Sequence, residues 1–210
     1  MGLYLAAYNG IQFLGWFLIL CFAVVTSLGG LQVYMDPNLR ILVLVFQNLM
    51  AIEILHSALR ISSSPLFPTF IQVFSRLGVV WGALELEPTT KWTASLLIAW
   101  GCAESIRYSN YFYASLDLKQ PKFMVWLRYS GFIVLYPIGV FSELMCLYSA
   151  LPVIEKCCPR VYSISMPNPY NFSFDFLIFV KYFVPLFYAA GFPFLYGYML
   201  TQRKRKLKTE

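Results

Sequence analysis

Six long runs of apolar residues follow one another along this chain, and each has about the length of a helix that crosses a bilayer. They lie near residues 11–34, 39–59, 66–86, 92–114, 123–148 and 174–200. A membrane-spanning helix needs about 20 largely apolar residues. The breaks between the runs carry turn-forming residues, such as Asp36-Pro37-Asn38 and the proline-rich connection from Cys157 to Asn171. The pattern therefore predicts an all-α, polytopic membrane helical bundle with about six transmembrane helices.

The amino-acid composition agrees with a membrane protein. Hydrophobic residues make up 59% of the 210 residues, charged residues make up 12%, and the mean hydropathy is +0.63. An ordinary soluble domain carries about 25% charged residues. Because no polar stretch is long enough for a separate soluble domain, we expect a single transmembrane bundle over residues 1–200, followed by a basic cytosolic tail at 201–210.

The net charge of +6 is concentrated at the C-terminus. Five cations occupy the last eight residues: Arg203, Lys204, Arg205, Lys206 and Lys208. Such a basic flank is typical of the cytosolic end of a membrane helix, and we expect no nucleic acid as a partner. Because an even number of spans returns the chain to its starting side, both termini are predicted to be cytosolic.

The last five residues, Lys206-Leu207-Lys208-Thr209-Glu210, also fit a sorting signal. The pattern Lys-x-Lys-x-x is typical of cytosolic signals that return membrane proteins to the endoplasmic reticulum, and such a signal is an address that a receptor binds. The alternative is a basic flank that matches the pattern by chance. The signal predicts a multi-pass protein of the endoplasmic reticulum membrane.

The cysteines and the single histidine do not form the pattern of a metal site. The five cysteines lack metal-ligand spacing, and His56 has no second histidine as a partner. A phosphatase loop of the type Cys-x5-Arg is also missing, because Arg107 follows Cys102 one position too early. We therefore expect neither a metal ion nor phosphatase chemistry.

A tyrosine and a carboxylate share one face of the fifth apolar run. Tyr136 and Glu143 are seven residues apart, so a helix places them on nearly the same side, with a rise of about 10 Å between them. An ionisable residue inside a membrane is costly and is by default a functional hypothesis. Tyr129 and Gly139 lie on the same face, and Gly139 leaves room for a narrow ligand. Pro137 removes a backbone donor beside the tyrosine, so we expect a kink there.

Two of these residues also have structural interpretations. Gly139 is compatible with a close contact between helices, and Tyr136 is compatible with a belt residue at the membrane interface. Neither interpretation explains the carboxylate of Glu143.

Further ionisable residues lie inside the other apolar runs. Glu53 and His56 are three residues apart, as are Glu104 and Arg107, so each pair can meet on one helix face. One interpretation is structural, since such pairs neutralise each other and hold helix against helix. The other is a cationic lining for a phosphate-bearing ligand, formed by four side chains: His56, Arg76, Arg107 and Arg128.

Several motifs spread over almost the whole chain occur together. They are Ile52-Glu53-Ile54-Leu55-His56, Glu104-Ser105-Ile106-Arg107-Tyr108, Trp126-Leu127-Arg128-Tyr129, Leu135-Tyr136-Pro137-Ile138-Gly139-Val140-Phe141-Ser142-Glu143 and Met166-Pro167-Asn168-Pro169-Tyr170-Asn171-Phe172-Ser173-Phe174-Asp175. In this combination the chain resembles the very-long-chain (3R)-3-hydroxyacyl-CoA dehydratases, also called protein-tyrosine-phosphatase-like or PASTICCINO-type proteins. One position departs from the family pattern, because Arg60 stands where we expect a glycine.

The resemblance implies an enzyme of the fatty-acid elongation cycle in the endoplasmic reticulum. Its reaction is the third step of the cycle, the removal of water from a (3R)-3-hydroxyacyl-CoA to give a trans-2-enoyl-CoA. In the family, a tyrosine and a glutamate at this spacing form the catalytic pair, which implies Tyr136 and Glu143 here. Dehydration needs a base for the α-proton and an acid for the departing hydroxyl. We assign Glu143 as the base and Tyr136 as the acid, and the reverse assignment remains open.

The same resemblance implies the partners of the reaction. Elimination of water involves no electron transfer, so we expect no metal and no redox cofactor. The phosphates of the acyl-CoA substrate are expected at Arg107 and Arg128, because arginine pairs well with anionic oxygens. The acyl chain is expected among Phe, Leu and Tyr side chains of the bundle. Membrane lipid and other elongase-cycle enzymes are expected as further partners of the protein.

Two other classes of function fit the same polar pattern. A catalytically inactive scaffold within an elongase complex would share the motifs, although intact Tyr136 and Glu143 argue against inactivity. A transporter or channel would use the polar interior to connect both sides of the membrane. The enzyme instead predicts a pocket that opens to the cytosol and is closed toward the lumen.

Overall fold

The structure of this protein is a computed structural model that describes residues 2–62 and 64–206. The helices are α1 (Gly2–Leu28), α2 (Pro37–Leu49), α3 (Ile52–Ala58), α4 (Leu66–Val79), α5 (Trp92–Ser115), α6 (Lys122–Ser130), α7 (Phe132–Cys157), α8 (Phe176–Ile178) and α9 (Val184–Lys206). Within the described residues, strand-like pairing is confined to an isolated bridge between Ile164 and Phe174. The predicted all-α fold class is confirmed.

Each of the six predicted runs corresponds to one helical rod in the described part of the chain. Two rods are interrupted, since one combines α2 with α3 and another combines α6 with α7. Two more contain π-helical turns, Val80–Leu84 after α4 and Phe179–Phe183 between α8 and α9. Five stretches are long and apolar enough to cross a membrane: Gly2–Leu28, Pro37–Ala58, Leu66–Leu84, Phe132–Cys157 and Phe176–Lys206. The chain is therefore a multi-pass membrane protein, in which the remaining rod, α5, is long but less apolar.

Helix α1 begins at Gly2, well before the first apolar run near residue 11. Its early turns carry Asn9 and Gln12, which are buried. The Asn9 side-chain amide donates a hydrogen bond to the Ser115 hydroxyl over 3.0 Å, and the Gln12 amide donates to the Tyr8 hydroxyl over 3.2 Å. The hydropathy pattern misses these turns because their polar side chains face partners inside the bundle rather than lipid.

Helices α1 and α5 pack against each other in antiparallel directions. A side chain at Gly2 would meet the Ser115 carbonyl oxygen at 2.7 Å, and one at Gly101 would meet Leu20 Cβ at 2.8 Å. Small residues of this kind let membrane helices approach closely. The start of α1 and the end of α5 therefore lie at the same end of the bundle, and α7 packs on α5 and contacts α9.

Arg60, the departure from the family pattern, lies in the turn that follows α3. Its backbone is left-handed, with φ of +55°. The turn is closed by the His56 carbonyl, which accepts hydrogen bonds from the backbone amides of Ile61 and Ser62 at 2.8 and 3.2 Å. Because this conformation costs a residue with a side chain roughly 1–2 kcal/mol and glycine almost nothing, the loop keeps a geometry that favours glycine.

The regular helix is interrupted at Gly131, between α6 and α7, whereas α7 runs through Pro137, the residue where we expected a kink. Proline cannot donate the usual backbone hydrogen bond to the carbonyl of Ile133. The hydroxyl of Tyr196 in α9 donates to that carbonyl over 3.4 Å. A contact between α7 and α9 thus replaces the bond that Pro137 removes.

Four charged side chains form one network inside the bundle. Glu104 in α5 has 1% of its side chain exposed and accepts hydrogen bonds from Arg76 in α4 and from Arg107. Arg107 also donates to both carboxylate oxygens of Glu53 in α3, over 2.7 and 3.0 Å. Two carboxylates and two guanidinium groups give a neutral cluster, as the cost of unpaired charge in a membrane requires. The expected pair of Glu104 with Arg107 is present, whereas Glu53 bonds to Arg107 rather than to His56.

A second polar cluster surrounds Glu85, which directly follows the membrane-spanning stretch Leu66–Leu84. The Tyr34 hydroxyl donates to Glu85 Oε1 over 2.9 Å, Arg40 Nε donates to the same oxygen over 3.0 Å, and an Arg40 terminal nitrogen donates to Oε2. The hydrogen bond from Arg40 lowers the pKa of the Glu85 carboxyl below its usual value, and partial burial opposes this shift. The cluster joins the connection after α1 to the connection after α4.

Replacing Arg107 with leucine should destabilise the protein by about 3–5 kcal/mol, because the substitution leaves buried carboxylates with too few donors. Reversible unfolding in mixed micelles measures the free energy. A suitable control is Lys181→Met, since Lys181 and Glu155 form an exposed pair with an N–O distance of 3.8 Å. The control should cost at most about 1 kcal/mol. Equal losses for the two variants would contradict a central role for the network.

The stability contributed by Glu85 should depend on pH. Because the pKa of Glu85 is lower in the folded protein, its contribution is complete above the unfolded value of about 4.3 and is lost as the pH falls through the folded value. Thermal unfolding of the wild type and of Glu85→Gln, measured from about pH 6 to about pH 3, should give curves that converge on acidification. Parallel curves would show that the Arg40 contact does not stabilise the folded state.

Candidate active site

The carboxylate of Glu143 in α7 is held by two neutral donors from other helices. Trp100 Nε1 in α5 donates to Oε1 over 2.8 Å, and the Tyr188 hydroxyl in α9 donates to Oε2 over 2.6 Å. An indole N–H only donates, so Trp100 cannot take a proton from the carboxyl group. Both oxygens of the Glu143 side chain therefore accept a hydrogen bond from a neighbouring helix.

Tyr136 lies on α7 beside an aromatic stack. Its ring is nearly parallel to that of Phe192, with ring centres 5.1 Å apart, and it also stacks on Tyr196 at 6.3 Å. Tyr136 and Glu143 both contact α9, Tyr136 through Phe192 and Glu143 through Tyr188. Among the described residues, no side chain forms a hydrogen bond with the Tyr136 hydroxyl. This hydroxyl is therefore available to a ligand.

Gly139 lies between these two residues along α7. It is buried, yet a side-chain carbon added there would meet no heavy atom within 4 Å. A buried glycine next to empty space differs from one that serves close helix packing, such as Gly101. The structure therefore supports the interpretation of Gly139 as a residue that leaves room.

The side of α9 that faces this site is a stripe of aromatic residues at a spacing of four. Tyr188 contacts Glu143, Phe192 contacts Tyr136, and Tyr196 contacts both Tyr136 and the Ile133 carbonyl. A spacing of four residues keeps side chains on one face of a helix. The α9 stripe therefore runs antiparallel along the face of α7 that carries the tyrosine and the glutamate.

The four predicted cations do not form a single lining. Arg76 and Arg107 bind carboxylates within the buried network. The ring of His56 forms a hydrogen bond of 2.9 Å with the Tyr4 hydroxyl. Arg128 lies over the ring of Tyr111 at 5.0 Å. This arrangement favours the structural interpretation for Arg76 and Arg107, whose charges are paired. Of the three arginines, Arg128 is the best candidate for binding a phosphate.

The last predicted site residue, Tyr129, and two cavities lie in other parts of the bundle. Tyr129 is half-buried in α6, on the other side of the helix interruption at Gly131. A groove of about 520 Å³ lies beside the start of α6 and is lined by Leu118, Lys119, Gln120, Lys122 and Val125. A second cavity, of about 250 Å³, lies near the start of α1, where Tyr8, Asn9, Glu53, His56 and Tyr111 contribute to its lining.

Sequence reasoning missed Trp100 and Tyr188, the two donors to Glu143. The available signals were weak: Trp100 is one helical turn from Glu104, and Tyr188 begins the aromatic stripe of α9. Both residue types are common at membrane interfaces, so their positions alone do not indicate a site. Trp100 is nevertheless connected to the charged network, because the Arg76 guanidinium lies over its ring at 5.0 Å.

Comparison with known proteins identifies relatives over nearly the whole chain. The family described as "Protein tyrosine phosphatase-like protein, PTPLA" matches residues 47–209. The very-long-chain (3R)-3-hydroxyacyl-CoA dehydratase PASTICCINO 2 of Arabidopsis thaliana is 40% identical over 97% of this chain and 92% of its own length. The dehydratase hpo-8 of Caenorhabditis elegans is 39% identical over 97% of this chain and 94% of its own length.

A human relative gives the same result. The very-long-chain (3R)-3-hydroxyacyl-CoA dehydratase 2 of Homo sapiens is 36% identical over 97% of this chain and 80% of its own length. No solved structure matches the chain. The family expected from the motifs is confirmed, and this chain belongs to the PTPLA family together with the very-long-chain (3R)-3-hydroxyacyl-CoA dehydratases that it resembles.

Proposed function

We propose that this protein removes water from very-long-chain (3R)-3-hydroxyacyl-CoA to give trans-2-enoyl-CoA, the third step of fatty-acid elongation. The observation that carries the proposal is the carboxylate of Glu143, held inside the bundle by two neutral donors. Tyr136 lies on the same helix, and within the described residues its hydroxyl forms no hydrogen bond with a side chain. The full-length similarity to proteins named as dehydratases for this substrate supports the proposal.

In the proposed reaction, Glu143 removes a proton from the carbon next to the thioester. The electrons of that C–H bond form the double bond, and the C–O bond at the third carbon breaks. Tyr136 protonates the departing oxygen, which leaves as water. The hydrogen bonds to Glu143 support its role as base, and the available Tyr136 hydroxyl supports its role as acid. Return of the proton from Glu143 to the Tyr136 phenolate restores the site for the next turnover.

We assign the coenzyme A phosphates to the basic residues of α6 and of the loop before it. Lys119 and Lys122 line the larger groove, and among the described residues Arg128 forms no ion pair with a carboxylate. Lysine and arginine are the usual partners of phosphate oxygens. Arg107 and Arg76 support the site through the charged network instead of binding phosphate. The acyl chain is assigned to the empty space beside Gly139 and to the contact between α7 and α9.

The proposed location is the endoplasmic reticulum membrane, with both termini in the cytosol. The basic residues at the end of α9, among them Arg203 and Lys204, support a cytosolic C-terminus. The sorting pattern at 206–210 supports a location in the endoplasmic reticulum. Lys206 belongs to the described residues, and positions 207–210 lie outside them. An enzyme that acts on an elongation intermediate would exchange substrate with other elongase-cycle enzymes, and we propose these as its protein partners.

Replacing Glu143 with glutamine, or Tyr136 with phenylalanine, should abolish conversion of long-chain 3-hydroxyacyl-CoA by the purified protein. Loss of either acid or base catalysis should lower turnover by at least about 100-fold. The matched controls are Glu155→Gln and Tyr148→Phe, which make the same changes at exposed positions of α7. Near-normal turnover by the folded Glu143 variant would disprove its role as base.

Replacing Gly139 with leucine should fill the empty space and lower turnover of very-long-chain substrate by about 10-fold or more, as small steric changes in apolar pockets do. The fold should persist, since an added side-chain carbon meets no heavy atom within 4 Å. Gly197→Leu serves as a control, because Gly197 is exposed and also has open space around it. Unchanged turnover by a folded Gly139→Leu protein would show that the substrate does not occupy this space.

A further inference from the structure

Tyr188 connects the last helix to the proposed base. Its hydroxyl lies 2.6 Å from Glu143 Oε2, a short distance that is typical of a hydrogen bond from a hydroxyl to a carboxylate. Helix α9 lies at the edge of the bundle and has no fully buried side chain, but Tyr188 is among its partly buried residues. Tyr188 is therefore the place where a peripheral helix reaches into the site.

The other donor to Glu143 comes from a different helix. Trp100 belongs to α5, at the centre of the bundle, and is itself contacted by Arg76 of the charged network. One carboxylate oxygen is thus fixed from the core and the other from α9. A carboxylate with only one of these donors could rotate about its terminal bond, because that torsion has a broad energy profile.

The orientation of Glu143 is important because proton transfer depends strongly on geometry. A general base must lie within about 2.6–3.2 Å of the atom whose proton it removes. A misplacement of about 1 Å can lower the rate by about 100-fold. Each oxygen accepts one hydrogen bond from the described residues, so the two donors hold the plane of the group and each oxygen has a second lone pair.

We propose that Tyr188 is a positioning residue that, together with Trp100, orients the Glu143 carboxylate toward the α-proton of the substrate. This inference rests on the proposed dehydratase function and adds to it a role for α9. Tyr188 does not exchange protons with the substrate in this scheme. Its contribution is to the rate of proton removal and not to substrate affinity.

The test compares wild type, Tyr188→Phe and Trp100→Phe as purified full-length proteins, with 3-hydroxyacyl-CoA that is either unlabelled or dideuterated at the α-carbon. Each variant should lower kcat by about 10-fold to about 100-fold, with KM within about twofold of the wild type. The deuterium isotope effect on kcat should equal or exceed that of the wild type, because proton removal limits the slower reaction. Tyr198→Phe is the matched control, since it removes an exposed hydroxyl from the same helix.

Three results would overturn the inference. Wild-type kcat in both variants would show that the donors do not orient the base. A raised KM with unchanged kcat would identify Tyr188 as a substrate contact, and an isotope effect that falls to unity would show that another step has slowed. A wild-type protein without dehydratase activity would overturn the proposed function and this inference together, whereas an active wild type with an unaffected Tyr188→Phe variant would overturn the inference alone.

Discussion

The interior of this bundle depends on the pairing of Glu104 with two arginines. A single carboxylate with 1% of its side chain exposed would be costly in a membrane, and Arg76 and Arg107 offset that cost. Because these residues lie on α4 and α5, and Arg107 also binds Glu53 on α3, the neutral network fixes three helices relative to one another. It also reaches the proposed active site, since Arg76 lies over the ring of Trp100, which in turn holds Glu143.

The fold and part of the site could be predicted because they follow from local patterns. Apolar runs of membrane length identified all six helical rods, and helical periodicity placed Tyr136 and Glu143 on one face of α7. The ends of the helices were less predictable. The first turns of α1 contain polar residues such as Asn9, whose partner Ser115 lies on another helix. A hydropathy pattern treats such a residue as exposed to lipid and therefore begins the helix too late along the chain.

Contacts between helices could not be predicted because they depend on register and rotation. The spacing of three residues made Glu53 and His56 plausible partners, but Arg107 offers Glu53 two parallel hydrogen bonds, which bind a carboxylate more strongly than one. The donors Trp100 and Tyr188 were missed for the same reason. Each is distant in sequence from Glu143, and only the packing of α5 and α9 against α7 brings them to it.

The neutrality of the donors at Glu143 has a chemical consequence for the position of the cations. A guanidinium group in direct contact would form an ion pair with the carboxylate, whereas an indole and a phenol hold it by hydrogen bonds alone. The phosphates of an acyl-CoA need cations, and these lie elsewhere. Arg128 precedes Glu143 by fifteen residues, which corresponds to a rise of about 22 Å along a regular helix. The proposed phosphate contact and the proposed base are therefore separate groups, in different helices of the same rod.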